Sequence, residues 1–201
     1  MRMSRVITGG LLLAFCVGLL SCGLFEPRKP NPPPPSASGC RSLTGSQAIF
    51  QNIEDPNVGY GRLAGTICYS SMLDTTFLFH PDPQDSSQAL PLTPFVGWDE
   101  TVEARVNSGI AGDQDFIAVH FGDKYADPIF PDQATEIHFR NYQVLFSAKD
   151  STDTLRYTGL ADMTFHRGAD GQWRITDWVD HRGAVGDQTW GELRRGYRVG
   201  F

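Results

Sequence analysis

Residues 155–182 read LRYTGLADMTFHRGADGQWRITDWVDHR. Leu155, Tyr157, Ala161, Met163 and Phe165 all fall on odd positions, the period of two that marks a strand with one buried face. Gly168, Ala169, Asp170 and Gly171 are turn residues, and residues 172–181 read as a second strand, so the stretch is an antiparallel hairpin. The second strand has a phase fault: Trp173 and Ile175 are odd, while Trp178 is even. A bulge at Thr176 and Asp177 would turn Trp178 to the core and Asp177 outward. Without it, Asp177 stays on the apolar face, where burial would raise its pKa and suit it to act as a base.

Working upstream, residues 135–146 form a long strand. Ile137 and Phe139 are odd but Tyr142, Val144 and Phe146 are even, which predicts a bulge near Arg140 and Asn141. Residues 116–121 alternate, with Ile117, Val119 and Phe121 on one side. Before Gly112 the period is helical. Asp99 is a natural N-cap for a helix carrying Val102, Val106 and Ile110. Residues 46–53 predict a helix stopped by Asp55 and Pro56. Residues 60–72 predict a second, with Leu63, Ala64, Ile67 and Cys68 on one face. Residues 74–80 are a short strand exposing Phe77 and Phe79 to one side, and residues 80–94 read as a loop. Residues 190–195 suggest a terminal helix. Helices come first and hairpins later, an α+β design: a curved antiparallel sheet forming a cone around N-terminal helices. A small lipocalin-like barrel is the rival, disfavoured because the first 70 or so residues of the domain hold one clear strand.

The 201 residues carry 17 Lys+Arg against 23 Asp+Glu, a net charge of −6. A nucleic-acid binder is therefore not expected. The average hides three unlike pieces. Residues 1–21 have a basic start (Arg2, Arg5) and a 15-residue apolar run, VITGGLLLAFCVGLL, the length of a signal-peptide core. Leu19, Leu20, Ser21 and Cys22 resemble the bacterial lipobox, which implies diacylglyceryl transfer to the Cys22 thiol, cleavage before it, and a lipid-bilayer anchor. An ordinary signal peptide with an incidental Cys is the alternative. Gly23 after the Cys resembles the signal for outer-membrane sorting where a cell has two membranes, so the expected location is the cell envelope. Residues 22–40 hold six of the chain's 13 prolines, four of them consecutive at 32–35, and read as a semi-rigid tether. Residues 41–201 are the folded domain. It has 13 basic and 22 acidic residues, hence −9.

Cys16 leaves with the signal peptide and Cys22 is spent on lipid. Cys40 and Cys68 remain in an oxidising setting, where either a disulfide or two separate thiols is open and the disulfide is expected.

The order of elements resembles the nuclear transport factor 2-like fold, the group that includes polyketide cyclase-like and ketosteroid isomerase-like domains. The resemblance spans about residues 42–198. It is carried by the paired opening helices, LDTTFLFHPDP (73–83), Trp98 before an acidic helix, and GQWRITDWVDHR (171–182). TWGELRRGY (189–197) is similar to the tail of bacterial lipoproteins in this group. The resemblance implies a conical pocket and pairing of two copies through the sheet. It does not imply one activity, because the fold hosts isomerases, dehydratases and non-catalytic modules alike.

Candidate chemistry is sparse. Asp162 shares a strand face with Leu160, Thr164 and His166, and a partner of His138 or His120 would make the Asp–His dyad that dehydratase-like members use. A solvated outer face is the plainer reading. A metal site built on His120, His138 and His166 would need aligned registers, and no metal or cofactor is expected. Arg194, Arg195 and Arg198 read as a solvated helix end. The four Trp residues read as core. The sequence thus favours a membrane-anchored, non-catalytic domain that binds a small apolar ligand or a partner protein. An isomerase or dehydratase using Asp162 or Asp177 with a strand His is the alternative.

Overall fold

The computed structural model describes residues 39–88, 95–122 and 128–198, all within the compact unit Ala37–Phe201. The expected signal peptide, the Cys22 lipidation site and nearly all of the tether lie outside the described residues.

Helix α1 spans Gln47–Ile53 and buries Ile49, Phe50 and Ile53. A 3-10 turn (Leu63–Gly65) leads into α2 (Thr66–Ser71), and β1 (Leu73–His80) comes after it. Helix α3 (Pro83–Gln88) occupies the expected loop. Helix α4 runs over Glu100–Gly112, and the Asp99 carboxylate caps it by accepting from the Val102 N–H at 2.9 Å. Strands β2 (Gln114–Phe121), β3 (Ile129–Asp132), β4 (Thr135–Ala148), β5 (Leu155–Arg167) and β6 (Trp173–Arg182) come next, and α5 (Trp190–Arg198) closes the chain.

The fold is α+β. The sheet is curved and unclosed, in the order β1-β6-β5-β4-β2, with β3 pairing the start of β4. Its pairs are antiparallel except the parallel β1 and β6. The β6 bulge occurs as read: Thr164 faces Asp177 but Phe165 faces Ile175, leaving Thr176 over. Trp178 is therefore fully buried and Asp177 points to the other face.

The expected β4 bulge is absent. Its register with β5 runs unbroken from Thr135 opposite His166 to Phe146 opposite Leu155. The even positions face the core throughout, so His138 is buried and Ile137 and Phe139 lie outside. The predicted face of α2 is also rotated. Leu63 and Ile67 are 69% and 85% exposed, while Cys68, Tyr69 and Met72 are buried. The cause is local: a Cβ on Gly65 would lie 1.9 Å from the Val58 carbonyl oxygen. This approach tightens the chain into a 3-10 turn and shifts the phase of α2 directly after it. Cys40 and Cys68 form a disulfide with Cα atoms 5.5 Å apart, stapling the start of the domain to α2.

Candidate functional site

The space between helices and sheet is where this architecture would place a pocket. Arg194 of α5 lies there, fully buried. Its Nε donates to the Glu103 carboxylate of α4 at 3.0 Å. Glu103, equally buried, also accepts from the Tyr69 hydroxyl and the Trp98 indole N–H, each at 2.7 Å. The guanidinium carbon sits 4.1 Å from the Trp178 ring centroid, 4.3 Å from Phe79 and 4.8 Å from Trp190. Burial alone would depress the Arg194 pKa, but the Glu103 carboxylate overcomes it and the net shift is upward. The expected solvated helix end is thus wrong for Arg194: a planar cation stacked on aromatic faces fills the interior.

A second buried carboxylate anchors α5 to the sheet. Asp180 of β6 accepts from the Tyr142 hydroxyl at 2.6 Å and the Gly191 N–H at 2.7 Å. Tyr142 in turn accepts from the Trp190 N–H at 2.9 Å. Burial pushes the Asp180 pKa up to about 6, against the opposing pull of these donors and Arg194. Just outside, Asp85 of α3 takes hydrogen bonds from Thr189 and Arg182, and Arg182 also reaches Glu192.

Of the sequence-predicted residues, His138 alone faces the interior. It does not meet Asp162. Its Nε2 lies 2.8 Å from Glu136 and its Nδ1 3.3 Å from the Arg140 guanidinium. Arg140 can only donate, so Nδ1 accepts and Nε2 carries the proton toward Glu136. Burial, with help from Arg140, lowers the His138 pKa and holds the ring neutral. Both ring nitrogens are engaged, and the ring packs on Phe50 and Phe165 at 5.2 and 4.7 Å. Such a ring has no free nitrogen for a substrate proton.

The other candidates sit on the far face of the sheet or at its edge. Asp162 pairs with His181 at 2.7 Å, and Asp177 with His80 at 3.1 Å. His120 lies 3.4 Å from Glu54 and stays exposed. The expected pairing of Asp162 with His138 fails because alternate residues of β4 face opposite ways and His138 took the inner one, and pairing with His120 fails because His120 lies opposite Gln143, four positions along β4 from Phe139, the neighbour of Asp162. On that outer face the half-exposed Phe139 lies beside Asp162, Leu160 beside His181, and Val179 between Asp162 and His80. Among the described residues no three His, Cys, Asp or Glu side chains gather as metal ligands.

A curved open sheet wrapped on helices with a closing C-terminal helix is the nuclear transport factor 2-like fold. Two solved structures share this architecture at TM-scores of 0.50 or above. A Novosphingobium aromaticivorans protein carrying the provisional label aromatic ring hydroxylase matches with TM-score 0.55 at 8% identity, over 73% of this chain and 92% of that one. A type 2 hexachlorocyclohexane dehydrochlorinase matches with TM-score 0.50 at 9% identity, over 71% and 91%. A nuclear transport factor 2-like superfamily protein from Salmonella enterica serovar Typhimurium is similar at 10% identity and TM-score 0.49, over 71% and 96%. No family model and no curated protein matches the sequence.

Proposed function

We propose that this chain is a lipid-anchored envelope protein whose domain is a non-catalytic docking module, pairing with a second copy of itself through the uncovered sheet face. The observation that carries this reading is the division of chemistry between the two faces. The interior is taken up by the Arg194 and Glu103 pair and its aromatic surround, where a small apolar ligand would otherwise sit. The outer face offers Phe139, Leu160 and Val179 beside Asp and His residues that are already paired. A domain of net charge −9 repels its own copy, and a patch of matched charge is where that repulsion is least. The anchor rests on the Leu19-to-Cys22 motif. Light scattering of the acylated chain in detergent tests the pairing. Twice the protomer mass for the wild type and the single mass for Phe139→Asp supports it; a single mass for the wild type at about 100 µM overturns it.

A second reading, an isomerase- or dehydratase-type enzyme, draws on the dehydrochlorinase neighbour and on a buried carboxylate with a pKa near 6 beside a tyrosine, Asp180 and Tyr142. It is weaker because both Asp180 oxygens are taken by Tyr142 and Gly191. An Asp180→Asn variant that folds but abolishes a measured turnover would restore the enzyme reading.

A further inference from the structure

We infer that the domain also touches the bilayer directly, through an apolar and basic patch beside the point where its chain enters. This inference rests on the lipid-anchor reading. Cys40 is stapled to Cys68 of α2, so the first described residues are held against that helix. The neighbour of Cys68, Ile67, is 85% exposed, and Leu63 one turn earlier is 69% exposed. Two large apolar side chains thus stand bare four positions apart, next to the point of chain entry. Beside Ile67 opens a groove of about 630 Å³ lined by Leu73, Ala104 and five Ser and Thr side chains, with Arg105 and Glu100 as its charged members. Arg41, next to the disulfide, and Arg105 are exposed, while Arg62, before Leu63, is half-buried and donates to the Ile117 carbonyl. Arg41 and Arg105 are thus the exposed cations beside Ile67, in a domain that is strongly acidic as a whole.

The partner that fits is an anionic phospholipid surface: acyl chains accept Ile67 and Leu63, and headgroup phosphates accept Arg41 and Arg105. The tether allows it. The 17 residues from Cys22 to Ser38 span at most roughly 50 Å at about 3 Å each. Chain entry also sets the orientation. The Trp173 N–H donates to the Leu43 carbonyl at 2.8 Å, so the entry lies at the start of β6. Val185, fully exposed, lies just past the opposite end of that strand.

The test uses the acylated full chain reconstituted in vesicles of phosphatidylethanolamine and phosphatidylglycerol, with and without brominated acyl chains. Ile67→Trp and Val185→Trp each add one indole at an exposed site, so neither disturbs the core. The expected result is quenching of the added emission by about twofold or more at position 67 and little at position 185. Equal quenching at the two positions, or none at 67 in acylated protein, overturns the inference. Intact mass separates the two claims: a chain without acyl mass on Cys22 overturns the anchor, and the inference with it.

Discussion

Replacing Arg194 by Met should cost the domain about 3–5 kcal/mol, because it strands the buried Glu103 carboxylate without its counter-charge. Both partners are fully buried, so solvent screening offers no relief. At a urea slope of about 2 kcal/mol per molar, the midpoint would fall by about 2 M. Glu103→Gln should cost a similar amount by stranding the cation. The double variant should not cost the sum. The Gln carbonyl can accept from the Trp98 N–H, its amide can donate to a rotated Tyr69 hydroxyl, and Met fills the space among Trp178, Phe79 and Trp190. The expected coupling is about 3 kcal/mol, read by urea titration of tryptophan fluorescence across the four proteins of the cycle. Arg194→Lys keeps the charge but loses the planar stack, and should fall between wild type and Met. Additivity within about 0.5 kcal/mol would refute the claim that a closed ion pair organises the interior.

Asp180 makes the domain's stability depend on pH with a defined sign. Its folded pKa lies above the ordinary carboxylate value, so the folded state holds the proton more tightly and stability falls as pH rises from about 4 to 6. The gap from 3.8 to about 6 corresponds to roughly 3 kcal/mol, and Asp180→Asn should remove this component from thermal melts taken across that window. A wild type and variant whose melting temperatures keep a constant offset from pH 4 to 7 would sink the assignment. Reducing the Cys40–Cys68 disulfide, which closes a loop of 28 residues, should cost about 3 to 4 kcal/mol, measured by urea titration with and without reductant. Gly65→Ala sets a methyl into the Val58 carbonyl and should cost more than about 2 kcal/mol, although the glycine needs no positive φ. An unchanged melting temperature for that variant would mean the 3-10 turn relaxes freely.

The hairpin was legible because its errors of phase were informative. Trp178 is too large and apolar to leave on the wet face, so its even position among odd neighbours required the bulge that register confirms. The same logic misled in β4. Ile137 and Phe139 looked like core, yet they line the outer face, while His138 goes inside because Glu136 and Arg140 satisfy both its nitrogens. A period-two argument ranks residues by hydrophobicity and cannot see that two neighbours two positions away neutralise a polar one. Helix α3 was hidden for a related reason. Its six residues, PQDSSQ, have turn composition, and the buried Asp85 is held by Arg182 and Thr189 about a hundred positions later.

The interior ion pair was missed, yet its signal stands in the sequence. Trp190, Leu193, Arg194 and Tyr197 are spaced i, i+3, i+4, i+7, the stripe of an amphipathic helix. Glu103, Val106, Asn107 and Ile110 repeat that spacing in α4. Each stripe carries a single full charge, and the two charges are opposite. One charge on an apolar stripe reads as an edge residue. Two of opposite sign on two helices are each other's least costly partners, since burial of either alone is prohibitive. The pairing also bears on function. The Arg194 and Glu103 pair occupies the interior of the cone, so under the function proposed above recognition falls to the faces left outside: the sheet with its Asp/His pairs, and the entry patch at Ile67.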